Sequence, residues 1–188
     1  MDKIPSNYLS LKEGWYLFEE TFEKILIEET IPLEYVLYPP FFYSLLRTRD
    51  WEEFENYTFW LLKIIGINNI YKFEKQKGRA DGFFIFRNLA VIYDCTLDIK
   101  FEETKNQQIE NYCAQLKSGR LEYEKVSYDI NQCQKQVWII TKGTSKIIKQ
   151  IDDIVVKEVS IQDLIKIYRK RMNENINEKE LEELLVNI

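Results

Sequence analysis

Apolar residues recur at two spacings along the chain, which predicts a mixture of helices and strands. Helical spacing over residues 10–30 places four bulky side chains on one face, namely Trp15, Phe18, Phe22 and Ile25. This pattern predicts an amphipathic packing helix, and Pro32 and Pro39-Pro40 break it. Residues 30–40 are therefore expected to connect this helix to the rest of the chain.

The next segment predicts two helices. Residues 41–47 are expected to form a short helix. Asp50 is a good N-cap and Glu53 follows three residues later, which is typical of a capping box. The helix that starts there is expected to reach Ile65, and Gly66 is a natural C-cap.

The most informative segment runs from Ala80 to Leu97 and predicts a β-hairpin. Residues 82–86 and 89–96 are rich in aromatic and β-branched side chains, and Arg87-Asn88 supplies the turn. The second strand is almost continuously apolar, as expected in a sheet covered on both faces. Further elements are predicted as strands at 70–73, 136–141 and 154–159 and as helices at 104–118, 145–152, 161–172 and 178–186.

Composition narrows the possible chemistry. The 188 residues carry a formal net charge of -5, whereas a self-sufficient DNA-binding module is usually basic. Any nucleic acid is therefore expected to be delivered by another component, although metal-binding carboxylates also lower the net charge. The chain has no histidine, which excludes Ser-His-Asp triads, Cys-His dyads and His-metal sites.

Cysteine usage and hydropathy indicate the cellular compartment in which the protein works. The three cysteines, at 95, 113 and 133, match no zinc spacing, and their odd number argues against a closed disulfide framework. They are expected to be buried thiols in a cytoplasmic protein. We find no signal-peptide pattern and no apolar stretch long enough to span a bilayer, so no membrane partner is expected.

Two aspartates give the predicted hairpin its candidate chemistry. Asp81 starts one strand and Asp94 ends the apolar run of the other, so antiparallel pairing brings the two carboxylates to one mouth of the hairpin. Charges beside apolar walls are costly unless they are paired or bind a metal. One or two carboxylates plus waters and a phosphate oxygen suit Mg²⁺. The alternative is that each aspartate is a solvated residue at a turn or strand end.

The order of these motifs resembles a known nuclease family. Asp81-Gly82 on one strand followed by Asp94 on the next is similar to the PD-(D/E)xK signature. The flanking helix, basic loop and Val-Ser helix start resemble the cleavage domain of FokI-type type IIS restriction enzymes. The resemblance covers roughly residues 50–188. It implies an α/β restriction-endonuclease-like fold with a mixed central β-sheet flanked by helices. Residues 1–49 lie outside the resemblance and are expected to form an N-terminal helical extension.

The resemblance also implies an activity, Mg²⁺-dependent hydrolysis of DNA phosphodiester bonds. Asp81, Asp94 and the backbone carbonyl of Cys95 would bind the metal. Sequence recognition would come from another domain or subunit. One site cuts one strand, so the domain would pair with itself or with a larger recognition subunit, as in a type II restriction endodeoxyribonuclease.

The chain departs from the family pattern before Asp81, where Ala80 replaces a proline, which is minor, and more seriously at Thr96. Thr96 stands where the family has a lysine that orients the attacking water. Some type IIS relatives carry an acid-Cys-Ser/Thr-Leu sequence, which residues 94–97 resemble. Lys100 and Lys105 are candidates to supply the missing charge, and the alternative is that both are ordinary solvated lysines. Glu55 is a candidate supporting carboxylate, or else an exposed helix residue.

Four residues are candidate DNA contacts. Lys77 and Arg79 belong to the basic loop that leads into Asp81, and the alternative is a solvated polar loop. Gln108 and Tyr112 share one helical face, and such a pair borders the site in several branches of the superfamily. The alternative for this pair is a helix with one buried tyrosine.

Two other functions stay open from the sequence. The first is a catalytically inactive protein that keeps the nuclease fold and serves in interactions. The second is a PD-(D/E)xK nuclease of DNA repair or of mobile elements.

Overall fold

The structure, a computed structural model, describes residues 41–73, 79–98 and 100–188. The helix predicted over residues 10–30 lies outside these residues, as does Lys77. The part from Phe41 to Ile188 forms one compact unit. Among the described residues, we find no helix that combines the length and the apolar character needed to cross a membrane.

The described residues of this unit form six helices and eight strands. The helices are α1 (Phe41–Arg47), α2 (Trp51–Ile65), α3 (Phe101–Thr104), α4 (Asn106–Lys117), α5 (Ile161–Glu174) and α6 (Glu178–Asn187). The strands are β1 (Ile70–Lys72), β2 (Gly82–Phe86), β3 (Leu89–Cys95), β4 (Arg120–Tyr123), β5 (Val126–Asp129), β6 (Gln134–Thr141), β7 (Lys146–Ile151) and β8 (Ile154–Ser160).

The central sheet has six strands in the order β1-β2-β3-β6-β8-β7. β6 pairs in parallel with both β3 and β8. The pairs β1–β2, β2–β3 and β7–β8 are antiparallel. β4 and β5 form a separate two-stranded hairpin. The predicted fold class, α/β with a mixed central sheet flanked by helices, is confirmed.

Both faces of the sheet are covered, which explains why β3 is buried along its whole length. One face packs against α4, where Ile109, Cys113 and Leu116 meet Ile92 and Val137. On the other face Phe84 and Trp138 pack edge to face, with ring centroids 5.1 Å apart. Asp94 has the same strand parity as Ile92, so its side chain points to the α4 face.

Helix α2 begins and ends where the sequence predicts. The Asp50 side chain accepts a hydrogen bond from the Glu53 N–H at 2.9 Å, and Gly66 caps the other end in the left-handed region with φ of 113°. The Glu53 carboxylate does not complete the predicted capping box. It accepts a hydrogen bond of 2.6 Å from the Thr48 hydroxyl instead. α2 is thereby fixed relative to the end of α1.

One predicted helix is wrong. Residues 145–152 contain the edge strand β7, which pairs antiparallel with β8 and shifts register between Ile147 and Lys149. Asp152 lies in the left-handed region with φ of 54° and makes the tight turn into β8. The Ile-Ile-x-x-Ile spacing fits either periodicity, and pairing with β8 decides for a strand.

Two further elements differ from prediction. The helix predicted at 104–118 is interrupted at Lys105, so the short α3 precedes α4. The β4–β5 hairpin was not predicted, because its strands are only four residues long and mostly exposed.

The predicted boundary between an extension (1–49) and a nuclease domain (50–188) stays a prediction, because most of the extension lies outside the described residues. The described residues before 50 pack with the rest of the unit. Phe42 and Leu45 of α1 are buried. The Lys142 Nζ, just after β6, donates to the backbone oxygens of Leu46 at 3.0 Å and Thr48 at 2.5 Å.

Candidate functional site

The β2–β3 hairpin brings the two predicted aspartates together. Its register pairs Gly82 with Tyr93, so Asp81 lies opposite Asp94. The two residues have the parity of the α4 face, and the charge of each carboxylate acts on the Tyr112 hydroxyl of that helix. The two aspartates lie thirteen positions apart in the chain, and the short turn at Arg87-Asn88 brings them together.

Asp81 is held by backbone groups. Its Oδ2 accepts a hydrogen bond of 2.6 Å from the Cys95 N–H, and its carbonyl accepts one of 2.8 Å from the Phe73 N–H. Burial and then the charges of Asp94 and Glu55 raise the pKa of Asp81 to about 7, against the opposing effect of the Cys95 N–H and Lys105. A buried carboxylate among other carboxylates gains from a nearby cation.

Asp94 is more deeply buried and has two side-chain partners. It is 4% exposed, the Lys105 ammonium forms an ion pair with its Oδ2, and the Tyr112 hydroxyl donates to its Oδ1 at 3.3 Å. Burial raises the pKa of Asp94, and both partners act in the opposite direction. Both oxygens of this carboxylate are therefore occupied by donors.

A third carboxylate comes from α2. Glu55 is 9% exposed, its Oε2 lies 3.9 Å from the Lys72 Nζ, and its charge contributes to the raised pKa of Asp81. Glu55 is therefore not the exposed helix residue of the alternative interpretation. In residues 41–73, 79–98 and 100–188, however, no group of three or more His, Cys, Asp or Glu side chains is arranged to hold a metal ion.

The donor set still matches the needs of Mg²⁺. That ion takes one or two carboxylates and completes its shell with water and phosphate oxygens, so three protein carboxylates are not required. Asp81 and Asp94 supply two carboxylates that repel each other, as the raised pKa of Asp81 records. The residues present therefore fit a hard divalent cation.

The residues after Asp94 lie at the end of β3. The Cys95 thiol is buried, and burial together with the neighbouring carboxylates raises its pKa, so the thiol is kept neutral. Thr96 is also buried; its N–H donates to the Ile140 carbonyl at 2.9 Å and its hydroxyl accepts from the Asp98 N–H at 3.2 Å. Thr96 thus braces the strand end.

The structure brings Lys105, rather than Lys100, to the carboxylates. Lys100 is exposed and precedes α3, where its N–H donates to the Asp98 carboxylate at 2.8 Å. Lys105 stands at the break between α3 and α4, with its ammonium on Asp94. The sequence offered both lysines; the helix break, which decides between them, has no glycine or proline to signal it.

The structure describes three of the four residues that are predicted to contact DNA. Lys77 lies outside the described residues. The Arg79 guanidinium lies 3.9 Å from the centre of the Phe73 ring, a cation–π contact. Gln108 is half-buried one turn before Tyr112, whose hydroxyl is engaged by Asp94.

A cavity of about 600 Å³ opens beside Thr96 at the ends of the parallel strands β3 and β6. It is lined by Thr96, Leu97, Asp98, Thr141, Lys142, Gly143, Thr144, Lys146 and Glu158. A larger cavity of about 760 Å³ lies between α5 and α6 and contains none of the predicted site residues. Asp81 and Asp94 do not line the first cavity, but Thr96, two residues after Asp94 at the end of β3, does. Substrate pockets of α/β sheets lie at such carboxyl ends of strands.

Sequence reasoning missed Glu158 and Lys146 of this cavity. Glu158 is 8% exposed and accepts a hydrogen bond from the Thr141 hydroxyl at 2.6 Å, and the Lys146 Nζ lies 3.5 Å from its Oε2. An acidic residue inside the apolar strand of 154–159 is the signal that was available. Lys146 gave no such signal, because β7 was predicted to be a helix.

Comparisons with known proteins gave a match among solved structures. No family model matches the chain, and no curated protein matches its sequence. Among solved structures, the chain is similar to the small subunit of the heterodimeric restriction endonuclease R.BspD6I, with 14% identity and a TM-score of 0.42. The match covers 78% of this chain and 93% of that one.

Proposed function

We propose that this chain is a Mg²⁺-dependent endonuclease domain or subunit that hydrolyses DNA phosphodiester bonds. The observation that carries the proposal is the juxtaposition of Asp81 and Asp94 on one face of the β2–β3 hairpin. Thr96, two residues after Asp94, lines the cavity at the strand ends. Two mutually repelling carboxylates, one half-buried and one buried, are costly to maintain, and a divalent cation is the simplest reason for them.

Asp81 and Asp94 would hold the ion, with the carbonyl of Cys95 as a further oxygen ligand. When bound, the ion would polarise the scissile phosphate and lower the pKa of a water nucleophile. The Cys95 N–H fixes the orientation of the Asp81 carboxylate, and Tyr112 fixes that of Asp94. These contacts hold both carboxylates in place before substrate arrives, which reduces the reorganisation needed for reaction.

Lys105 would supply the positive charge that Thr96 does not. Its ammonium is tethered at the start of α4 and points at the carboxylate pair. A cation there offsets charge that develops on the phosphate oxygens during hydrolysis. Glu55, whose charge already acts on Asp81, would support the metal-binding carboxylates from α2.

The wider role that we propose is that of a type IIS-like restriction enzyme component. The net charge of -5 favours delivery of DNA by a separate recognition domain or subunit. We further propose that the chain works in the cytoplasm and pairs with itself or with that larger subunit. A nuclease of repair or mobile elements would use the same chemistry and would differ in its partner.

The test is cleavage of supercoiled plasmid by the full chain with Mg²⁺, both alone and fused to a DNA-binding domain. We expect nicking by the wild type, none in EDTA, and a loss of at least about a hundredfold in Asp94→Asn. Asp153→Asn, on an exposed turn, should cleave like the wild type. If the folded wild type fails to cut even when tethered, the inactive interaction protein becomes the better account.

The position of Thr96 is the observation that favours this second candidate. Its hydroxyl is engaged by the Asp98 N–H and brings no positive charge to the strand end. If Lys105 does not substitute for the family lysine, the chain keeps the fold without the catalytic charge.

A further inference from the structure

Lys105 is fixed at its backbone, and its flexible side chain reaches Asp94. Its N–H donates to the Phe101 carbonyl at 2.8 Å, and its carbonyl accepts from the Ile109 N–H at 2.9 Å. A shift of the Lys105 backbone would therefore break these two hydrogen bonds at the junction of α3 and α4. Its side chain has four rotatable bonds, so the ammonium can swing over several ångströms from this anchor.

The ammonium now rests on Asp94, at the oxygen that a bound ion would need. The Tyr112 hydroxyl occupies Oδ1 and Lys105 occupies Oδ2, so no oxygen of Asp94 is without a donor. Asp94 is 4% exposed, and a carboxylate that deeply buried requires a compensating charge. Lys105 provides such a charge.

A divalent cation and the ammonium compete for this position. Both are positive, and the repulsion between them would be strong in so poorly solvated a site. The metal needs Asp94, because Asp81 by itself offers one carboxylate whose Oδ2 already accepts the Cys95 N–H. Metal binding would therefore displace the Lys105 ammonium from Oδ2.

We infer that Lys105 is an exchangeable counter-ion that couples metal binding to phosphate binding. In the metal-free chain it neutralises Asp94; when metal binds it leaves Asp94 and becomes available to a phosphate of the DNA. The inference rests on the proposed function and adds a linkage to it: metal strengthens DNA binding, and DNA strengthens metal binding by the same factor.

The first experiment measures metal affinity without DNA. Calorimetric titration of the full chain with Ca²⁺ and with Mn²⁺ at pH 8 compares wild type, Lys105→Met, Lys105→Arg and Lys117→Met. We expect Lys105→Met to bind metal about tenfold more tightly, because the competing cation is gone. Lys105→Arg, which keeps the charge, should stay within about threefold of the wild type.

Lys117→Met is the matched control. Lys117 ends the same helix and also pairs with an aspartate, Asp152, at 2.5 Å, but this pair is exposed. Its removal should leave metal affinity unchanged. A gain of similar size in Lys117→Met would mean that net charge, rather than competition at Asp94, sets the affinity, and would overturn the inference.

The second experiment uses the wild type, so it does not depend on a variant that folds. Acetylation of lysines is followed by mass spectrometry with and without Ca²⁺, with Lys117 as the internal reference. We expect Ca²⁺ to increase the labelling of Lys105 several-fold by releasing its ammonium from Asp94. Unchanged or lower labelling of Lys105 under saturating metal would contradict the exchange.

The third experiment tests the coupling to DNA. Fluorescence anisotropy with a short duplex should show that Ca²⁺ tightens binding to the wild type by about tenfold, and that Lys105→Met largely loses this gain. The two proposals fail differently. If metal binds in a manner that requires Asp81 and Asp94 but Lys105→Met is no tighter, only the exchange is wrong; if no metal binds at all, the proposed function is wrong as well.

Discussion

Asp81 is a half-buried carboxylate beside two other carboxylates, an arrangement that lowers the stability of the folded chain. A carboxylate whose pKa rises to about 7 on folding, from an ordinary value of 3.8, binds its proton more tightly in the folded state. The folded chain therefore loses stability relative to the unfolded chain as pH rises from about 4 to 7. Such a cost is expected at a site that is completed by a ligand.

Replacing this charge should stabilise the protein at high pH. In EDTA at pH 8, we expect Asp81→Asn to raise the free energy of unfolding by about 1–3 kcal/mol, because the amide keeps an oxygen for the Cys95 N–H and removes the charge. At pH 4 the difference should nearly vanish. Urea denaturation at both pH values measures this.

Asp163→Asn provides a control of opposite sign. Burial opposes ionisation of Asp163, but hydrogen bonds from Lys166 and Ser145 outweigh it and lower its pKa. Its removal should reduce stability at pH 8. An Asp81→Asn protein that is less stable than the wild type at pH 8 would contradict the assigned electrostatics.

The Tyr112 hydroxyl is predicted to stabilise Asp94 rather than the core. Tyr112→Phe keeps the buried ring and removes the 3.3 Å hydrogen bond, so we expect a loss of about 1 kcal/mol in the free energy of unfolding. Urea denaturation again gives the value. Tyr43→Phe, at an exposed tyrosine, should change stability by less than about 0.5 kcal/mol.

At the scale of elements, the hairpin depends on how closely β1 approaches β2. A Cβ on Gly82 would lie 2.1 Å from the Tyr71 carbonyl oxygen and 2.5 Å from the Tyr93 hydroxyl. The glycine of Asp81-Gly82 is therefore required by packing, which explains why an otherwise apolar strand begins with it.

Gly82→Ala should consequently displace β1 and the neighbouring Asp81. We expect a loss of more than about 2 kcal/mol in the free energy of unfolding and weaker metal binding. Gly143→Ala is the milder comparison, because its nearest atom, 2.5 Å away, belongs to the Glu158 side chain rather than to backbone. Equal stability of Gly82→Ala and wild type would contradict this prediction, because β1 would then accommodate the added methyl group without cost.

The sequence predicted these elements well where local signals agree with packing. Residues 82–86 and 89–96 carry strand composition, a two-residue turn and an Asp-Gly start, and the observed hairpin differs by one residue. The prediction for β7 was wrong because an edge strand with one bulge lacks a regular alternation of apolar and polar residues. β4 and β5 were not predicted because they bury little apolar surface.

The candidate site was predictable in part for the same reason. Asp81 and Asp94 were found because antiparallel pairing fixes where the ends of two adjacent strands lie. The choice between Lys100 and Lys105 depends on the break between α3 and α4, a tertiary feature. Glu158 comes to the site from β8, whose neighbour in the sheet could not be read from local sequence.

At the scale of the whole molecule, the proposed function and the negative net charge predict how the chain acts alone. Under that proposal the Asp81–Asp94 pair would serve one phosphodiester at a time, so an isolated chain should nick supercoiled plasmid before it produces linear DNA. With a net charge of -5, its binding to DNA at physiological salt should also be weak.

These limits predict a dependence on concentration and on tethering. Formation of linear product should rise more steeply than in proportion to protein concentration, whereas nicking should not. Fusion to a DNA-binding domain should increase cleavage at low protein concentration by at least about tenfold, through a higher effective concentration. Gel analysis of the time course measures both. Linear product without a nicked intermediate at the lowest concentrations would contradict this prediction.

The central claim is that Asp81 and Asp94 share one divalent ion. The most direct measurement is a crystal structure of the protein soaked in Mn²⁺, with anomalous differences collected for wild type and Asp94→Asn. We expect one anomalous peak within about 2.5 Å of a carboxylate oxygen of both aspartates in the wild type, and none in the variant. An Mn²⁺ ion bound elsewhere, or an empty carboxylate pair at saturating Mn²⁺, would contradict the account.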